Sequence, residues 1–253
     1  MDTVRRLLAH PLTRDLSIDD PRTTELRRKV IESKPFLRKI YHDWYTRIAT
    51  HIPPGPQFAL ELGSGAGFFS DYLPGLIRSE IFLASRIDVV LDGQSLPFAD
   101  SSLRGIVMTD VLHHVPDCQA FFSEASRCLS PGGRIVMIEP WVTRWATFVY
   151  THLHHEPFRP DSPDWTFPSS GPLSGANGAI PWIVFQRDYP RFRRQFPTLH
   201  VSRIEPLMPF RYLVSGGVSM QSLVPAFSYS LWAGIERLFR GSAMFALVVV
   251  EKE

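Results

Sequence analysis

The chain has few cysteines, almost no net charge and no long apolar run. Only 2 of its 253 residues are cysteine, so we expect reduced thiols at Cys118 and Cys128 and neither a disulfide framework nor a cysteine metal site. The 27 basic and 25 acidic residues leave a formal charge of +2, which offers no dense basic surface for phosphates and predicts no nucleic-acid partner. No window holds 18 uninterrupted apolar residues, so we expect no membrane-spanning helix.

The amino-terminal region also lacks an apolar stretch of signal-peptide length after Arg5 and Arg6. With the reduced thiols, this predicts a cytoplasmic protein. Hydrophobic residues make up 44% of the sequence, enough for a full core in one large domain or in a domain with an insertion. Proline is abundant, at 22 residues, and most of it follows residue 139, so the second half should be rich in loops and turns.

The most informative stretch is a glycine turn that directly follows a short apolar run. Residues 58–62 precede glycines at alternate positions, Gly63, Gly65 and Gly67, and Glu61 stands two residues before the first of them. Glycine permits positive φ and lets a ligand lie against bare main chain. The spacing is Gly-x-Gly-x-Gly and not the Gly-x-Gly-x-x-Gly of dinucleotide folds. The pattern predicts a strand, a tight turn over a ligand and a helix at 68–72.

Other segments continue an alternation of strands and helices. An apolar stripe predicts helix within residues 23–50, and Asp117 is placed to cap a helix that ends at Leu129. The alternation predicts a parallel α/β sheet with crossover connections. The predicted strands are residues 58–62, 76–80, 89–91, 105–109, 134–139, 201–204 and 245–250.

Four segments, in the same order, resemble the class I S-adenosylmethionine (SAM)-dependent methyltransferases. They are the turn after Glu61, residues 92–98 (Asp-Gly-Gln-Ser-Leu-Pro-Phe), residues 110–115 (Asp-Val-Leu-His-His-Val) and residues 129–133 (Leu-Ser-Pro-Gly-Gly). The likeness covers residues 57–140 and is nearest to the branch that includes ubiquinone, sterol and sugar methyltransferases. It implies SAM as the cofactor and a small molecule as the methyl acceptor.

The resemblance implies a Rossmann-like class I methyltransferase sheet, mostly parallel with an antiparallel last strand. Only eleven residues separate Glu80 from Asp92, too few for the helix that usually joins the second and third strands, so a loop is expected at 81–86. The predicted regions are an N-terminal arm and helix (1–50), a SAM-binding core (51–140), a lid insertion after the fifth strand (141–196) and C-terminal strands that complete the sheet (197–253).

The methionine part of SAM needs main-chain donors and a polar partner. The resemblance implies that Gly63, Gly65 and Gly67 pass beneath it and present amide groups. It also implies that Glu61 accepts hydrogen bonds from the loop or, through water, from the ammonium group. Asp110, which follows the fourth strand, is expected close by.

The adenosine part of SAM needs a bidentate acceptor for its ribose diol. Glu80 stands 19 residues after Glu61, close to the roughly 20-residue spacing of the ribose acid in dinucleotide folds, with Asp88 as the competitor. The resemblance places the adenine amino group against Asp92 and the ring nitrogen against the amide of Gly93.

Three residues are candidates for the chemical step. An imidazole near neutral pH suits proton removal from a hydroxyl, which favours His113 or His114, although adjacent side chains do not readily point the same way. Glu139, at the tip of the fifth strand, is expected to orient a histidine or bind substrate. Methyl transfer depends on in-line geometry and water exclusion, so a site without a base stays an alternative.

The acceptor is expected to contact the lid and the N-terminal helix. The predicted contacts are Trp141, His154 and His155 in the insertion and Tyr41 in the helix. The run His-Leu-His-His-Glu at 152–156 offers ligand atoms, but no cysteine or further histidine cluster joins it, so we predict no metal.

The sequence therefore predicts methyl transfer from SAM to a small molecule at oxygen. A lipid-linked or membrane-dissolved acceptor is the alternative, because residues 210–239 are apolar with few charges and suit peripheral membrane contact. An NAD(P)-dependent Rossmann oxidoreductase and a non-catalytic SAM-binding protein are alternatives of other classes. The glycine spacing and residues 92–98 argue against the oxidoreductase.

Overall fold

The protein is built around one seven-stranded sheet. The structure, a computed structural model, describes residues 20–65, 68–154, 156–169, 171 and 175–253. The strands are β1 (Phe58–Leu62), β2 (Leu76–Glu80), β3 (Val89–Val90), β4 (Leu103–Thr109), β5 (Leu129–Pro140), β6 (Leu199–Leu207) and β7 (Phe245–Lys252).

The strand order is β3-β2-β1-β4-β5-β7-β6. The pairs among β1 to β5 are parallel, and β7 is antiparallel to both β5 and β6. This confirms the predicted Rossmann-like sheet with a late strand inserted in the opposite direction. The carboxyl ends of β1, β2, β3, β4 and β5 lie along one edge, where ligands bind in open α/β sheets.

Helices cover the sheet. They are α1 (Pro21–Ser33), α2 (Pro35–His51), α3 (Cys118–Cys128), α4 (Arg144–Leu153), α5 (Ile180–Trp182, continued by a π-helical turn Ile183–Arg187), α6 (Tyr189–Gln195), α7 (Arg211–Ser215) and α8 (Tyr229–Glu236). Short 3₁₀ turns are formed by Phe69–Asp71, Leu112–His114, Ala226–Ser228 and Arg237–Ser242. None of the helices in the described ranges is long and apolar enough to cross a membrane.

Strand residues alternate between two hydrophobic clusters, one on each face of the sheet. Leu60 and Ile106 pack with α3 on one face, whereas Ala59 and Val107 pack with α2 on the other. This period of two is what a sheet covered on both faces requires. The two cysteines at the ends of α3 are free and buried, as the sequence predicts.

The helical region predicted within residues 23–50 is present and is divided in two. It consists of two helices broken at Lys34, whose φ of −113° and ψ of 91° are extended. The residue before a proline avoids the α region, and Pro35 follows directly. The predicted irregular arm at 1–22 falls mostly outside the described residues; helix α1 begins at Pro21.

The helix predicted at 68–72 is wrong, because only one 3₁₀ turn, Phe69–Asp71, is formed there. Pro74 and Gly75 follow within a few residues, and Gly75 has a φ of +69° that a continuing helix cannot adopt. Strand β5 is longer than its predicted span of 134–139 and runs through the glycine turn at 131–133. The loop predicted at 81–86 is present without a helix.

Part of the insertion at 141–196 packs in the hydrophobic core. Its side chains Trp165, Ile180, Ile183 and Val184 are fully buried in the cluster that contains Leu60 and Ile106. A Cβ on Gly175 would lie 2.7 Å from Ser169, and one on Gly178 would lie 3.0 Å from Phe158. These two glycines permit close packing within the insertion.

Candidate functional site

The glycine turn after β1 forms an open cradle. Gly63 and Gly65 have φ values of +67° and +46°, which favour glycine. A Cβ on Gly63 would lie 2.7 Å from Val111, whereas one on Gly65 would meet nothing nearer than a backbone oxygen at 3.7 Å. The backbone amide of Ser64 donates to the carbonyl of Ser79 over 2.8 Å, which ties the turn to β2. The third glycine of the motif, Gly67, lies outside the described residues.

Glu61 presents a buried carboxylate beneath this turn. The residue is 4% exposed, and its Oε2 atom has no hydrogen-bond partner among the described residues. Burial raises the pKa of its carboxyl to about 8, against a smaller lowering by the hydrogen bond to Ser64. A buried acceptor without a partner is unfavourable unless a ligand supplies a donor.

Glu80, at the end of β2, lies against the same turn. Its Oε1 accepts a hydrogen bond from the Gly65 amide over 2.7 Å, and burial raises the pKa of its carboxyl. The competing acid Asp88 is exposed and pairs with Arg78 at 2.7 Å. Glu80 lines the cavities at the edge of the sheet, whereas Asp88 faces away along β2.

Two adjoining cavities follow the carboxyl ends of the strands. Their volumes are about 120 Å³ and about 340 Å³. The smaller lies at Glu61 and Asp110, and the larger lies at Asp92 and Gly93. Residues Gly63, Glu80, Val111 and His114 line both. All the described residues predicted to hold the cofactor therefore line one continuous depression.

Asp92 and Gly93 close the far end of the larger cavity. The Asp92 carboxylate is exposed and accepts hydrogen bonds from the backbone and side-chain nitrogens of Gln94, at 2.9 and 3.0 Å. A Cβ on Gly93 would lie 2.7 Å from Leu62, so glycine is required there by packing against β1.

His113 is buried behind the cavity wall. Its Nδ1 lies 2.8 Å from Oε2 of Glu139, whose other oxygen accepts the backbone amides of Val111 and Leu112 at 2.8 and 2.7 Å. Burial opposes the charge on His113, but hydrogen bonds to Glu139 and Glu156 outweigh it and hold the imidazole pKa well above its usual range. His113 and Glu139 are 1% and 0% exposed and line neither of the two adjoining cavities. They fix the shape of the turn 111–114.

His114 faces both cavities instead. Its Nδ1 lies 3.2 Å from the carbonyl oxygen of Gly175, an acceptor, so Nδ1 carries the proton and Nε2 keeps its lone pair. Burial, with the charge of His113, lowers the pKa of His114 to about 3. The neutral imidazole therefore presents Nε2 to the ligand cavity as a hydrogen-bond acceptor.

Asp110 and Glu156 make this end of the site acidic. Asp110 adopts a positive φ of 62°, a rare conformation for a residue other than glycine that is concentrated at functional sites. Burial raises the pKa of Asp110 to about 6, against a lowering by His113. Burial opposes ionisation of Glu156, but the hydrogen bond and charge of His113, at 3.5 Å, hold its pKa well below its usual range.

Two overlapping sets of side chains here have the composition of metal ligands. They are His113, His114 and Glu156, and Asp110, His113 and Glu139; within each set the ligand-type atoms lie within 4.8 Å of one another. Because His113 is a charged donor to Glu139, it has no lone pair for a metal in this arrangement. The absence of a metal stays a prediction.

The residues predicted to bind the acceptor divide into three cases. Tyr41 and His154 line the 120-Å³ cavity, and His154 also lines a small cavity of about 20 Å³ beside it. Trp141 is 5% exposed and packs in the core, and its backbone amide donates to the carbonyl of Met244, directly before β7. His155 lies outside the described residues.

Part of the cavity wall escaped prediction from sequence. The loop after α7 contributes Val218 and Ser219, and α1 contributes Thr24 and Arg27. The available signal was the pair Gly216-Gly217, whose φ values of +70° and +50° mark a tight turn. Lys34 anchors that turn by donating to the carbonyl oxygens of Gly217 and Met220 at 2.5 and 2.8 Å. Lys34 and Gly217 are more than 180 positions apart, so the sequence gives no local indication of this contact.

Comparison with known proteins identifies the central segment. Residues 60–137 match the family model described as "Methyltransferase domain". An "Uncharacterized methyltransferase" of Mycobacterium sp. (strain KMS) is 32% identical over 103 residues, which are 35% of this chain and 41% of the relative. The alignment thus spans less than half the length of that curated relative.

Solved structures share the whole fold. Geranyl diphosphate C-methyltransferase from Streptomyces coelicolor A3(2), in complex with Mg²⁺, geranyl diphosphate and S-adenosyl-L-homocysteine, has a TM-score of 0.55 at 18% identity, over 97% of this chain and 92% of that one. A geranyl diphosphate methyltransferase in complex with SAM has a TM-score of 0.54 at 16% identity, over 96% and 94%. At such identities the likeness shows the fold alone. Residues 60–137 therefore match a methyltransferase domain, and the chain as a whole has the fold of these solved methyltransferases.

Proposed function

We propose that the protein transfers a methyl group from SAM to a hydroxyl of a small molecule. The observation that carries this is the arrangement of Glu61, Gly63, Gly65 and Glu80 along one depression that ends at the neutral imidazole of His114. A dinucleotide-dependent oxidoreductase does not require this acid–glycine cradle. A protein that only binds SAM does not require a proton acceptor at the end of the cavity.

The residues fit SAM on two structural grounds. The cradle is bare at Gly65, where a Cβ would occupy ligand space, and Oε2 of Glu61 lacks the donor that an ammonium group would provide. Asp110 and Glu156 add negative charge next to this point, and they suit a ligand that carries a sulfonium and an ammonium. When bound, SAM supplies a methyl group on a positively charged sulfur and leaves as a neutral thioether.

The chain's own residues then position and deprotonate the acceptor. His114, through Nε2, accepts the hydroxyl proton, while the Gly175 carbonyl holds its tautomer. Glu139 and His113 keep the 111–114 turn in place through three hydrogen bonds. Tyr41, His154 and the wall formed by the insertion exclude water from this end of the cavity.

The charge of the lining narrows the acceptor class. Among the described residues that line the 120-Å³ cavity, Arg27 is the only arginine or lysine, against the acids Glu61, Glu80, Asp110 and Glu156. An acidic site disfavours an anionic acceptor such as the geranyl diphosphate of the structural neighbours, because like charges repel in a partly buried cavity. We therefore propose a neutral or cationic hydroxyl compound.

Calorimetry with SAM, S-adenosyl-L-homocysteine and NAD, followed by a methyl-transfer assay against neutral hydroxyl compounds, tests the function. We expect binding of both sulfur compounds, no binding of NAD, and transfer detected as S-adenosyl-L-homocysteine. Tight binding of NAD without binding of SAM would establish the oxidoreductase alternative, and binding without turnover of any acceptor would favour the non-catalytic one.

Removal of the ribose acid should weaken the cofactor without unfolding the protein. We expect Glu80→Ala to weaken SAM binding by about 1.5–3 kcal/mol, the range for lost charge-assisted hydrogen bonds. Asp88→Ala, which removes a carboxylate of the neighbouring loop that pairs with Arg78, should leave SAM binding unchanged. If SAM binding were weaker in Asp88→Ala and unchanged in Glu80→Ala, the ribose would contact Asp88 and not Glu80.

Glu61 should release a proton when SAM binds. Because its pKa is about 8 in the free protein, the carboxyl is mostly protonated near neutral pH, and a bound ammonium group would lower that pKa. We expect calorimetry in buffers of different ionisation enthalpy to show about 0.9 more protons released by the wild type than by Glu61→Gln at pH 7. Equal proton release by both proteins would mean that Glu61 does not contact the ammonium group.

A further inference from the structure

A line of exposed apolar side chains runs along the segment after the cavity wall. Phe227, Leu231 and Leu238 are 86%, 66% and 82% exposed. They lie in three consecutive helical segments, Ala226–Ser228, Tyr229–Glu236 and Arg237–Ser242. We call these three residues the apolar stripe.

Within residues 221–242 the exposed charges beside the stripe are positive, and two acids of other elements, Asp43 and Glu205, line a groove together with Arg237 and Arg240. Between residues 221 and 242 the bases are Arg237 and Arg240, both exposed, and the single acid is Glu236. Glu236 is 6% exposed, and its carboxylate accepts from the guanidinium and the backbone amide of Arg211. The solvent-facing side of the segment therefore carries apolar and cationic groups and no exposed acid.

A series of aromatic ring contacts, two edge-to-face and one stacked, leads from Phe239 to α4. The Phe239 ring lies 5.2 Å from Phe210, which lies 5.8 Å from Trp145, which lies 6.1 Å from Phe148. Phe148 is 52% exposed. Phe239 directly follows Leu238 in the chain, so the apolar stripe adjoins these aromatic residues.

We propose that the apolar stripe binds the surface of an anionic lipid bilayer. Singly projecting Phe and Leu side chains beside arginines suit insertion between headgroups, where acyl chains accept the apolar groups and phosphates accept the guanidinium groups. A symmetric contact between two copies would bring Arg237 and Arg240 of each close to those of the other, without an exposed acid on the segment to offset them. The proposal rests on no part of the proposed function.

Vesicle co-sedimentation of the full chain tests this. The vesicles are phosphatidylcholine alone and phosphatidylcholine mixed with phosphatidylglycerol. We expect binding to the anionic vesicles that weakens with added salt, and a partition coefficient at least about tenfold lower for the double variant Leu231→Asp/Leu238→Asp. Leu83→Asp is the matched control, because Leu83 is 79% exposed and lies in the loop after β2, at the other end of the sheet from β6.

Other outcomes overturn the proposal. Equal sedimentation of the wild type and the double variant, or no sedimentation with anionic vesicles, means that the stripe does not bind a bilayer. A wild-type dimer that the double variant dissociates in analytical ultracentrifugation, without vesicle binding, makes the stripe a contact between copies. SAM calorimetry on each variant reports on the fold and keeps this result separate from a failure of the methyltransferase assignment.

Discussion

Gly65→Val is expected to abolish the binding of SAM. Gly65 has a φ of +46° and donates its amide to Glu80, so any side chain would project from the turn into the cavity that the methionine part requires. A valine adds the further strain of a β-branched residue at positive φ. Gly63→Val should have the same effect with a greater loss of stability, because its Cβ would lie 2.7 Å from Val111.

A pair of alanine variants separates blocked ligand space from backbone strain. Gly65→Ala and Gly75→Ala both place an alanine at positive φ, and neither Cβ meets an atom closer than 3.7 Å. Each should destabilise the fold by about 1–2 kcal/mol. Only Gly65→Ala should weaken SAM in calorimetry, since Gly75 lies at the amino end of β2, away from the cavities. Equal SAM affinity in Gly65→Ala, Gly65→Val and the wild type would show that the turn does not hold the cofactor.

The residues predicted to hold the cofactor lie together in the structure because their determinants are local in sequence. Glu61, Gly63 and Gly65 lie within five residues of one another, and β2 has the predicted bounds of Leu76–Glu80. The prediction of a helix at 68–72 gave no weight to Pro74 and Gly75, which follow it and leave room for only one 3₁₀ turn, Phe69–Asp71.

The acceptor side could not be predicted because its geometry is set by distant contacts. Whether His113 or His114 faces the cavity depends on Glu139 and on the carbonyl of Gly175, 61 residues after His114. Glu156 comes to this point across a loop that the sequence marks only as polar. Trp141 was predicted to contact the acceptor and packs in the core instead, because an aromatic residue that is next to a site in sequence can still be buried.

His114→Gln is expected to reduce methyl transfer by about 10²- to 10⁴-fold, the usual contribution of a positioned proton acceptor. Glutamine retains the size and polarity of the side chain but cannot accept the hydroxyl proton. SAM affinity should change little, since Glu61, Glu80 and the glycine turn remain. His152→Gln, on the exposed face of α4 where the ring stacks on Phe148, is the matched control and should keep full activity.

The pH dependence distinguishes proton acceptance by His114 from a structural role. With a pKa of about 3, His114 stays neutral across the ordinary assay range, so its protonation should produce no loss of rate above about pH 4. Asp110, with a pKa of about 6, loses its negative charge as pH falls through that value, and the wild-type rate should decline there. In His114→Gln, the acceptor hydroxyl must ionise by itself, so the residual rate should rise with pH through the alkaline range while the wild-type rate is level. A His114→Gln rate that equals the wild type, or one that is lower by the same factor at every pH, would mean that transfer proceeds without a base and depends on the positioning supplied by the 111–114 turn alone.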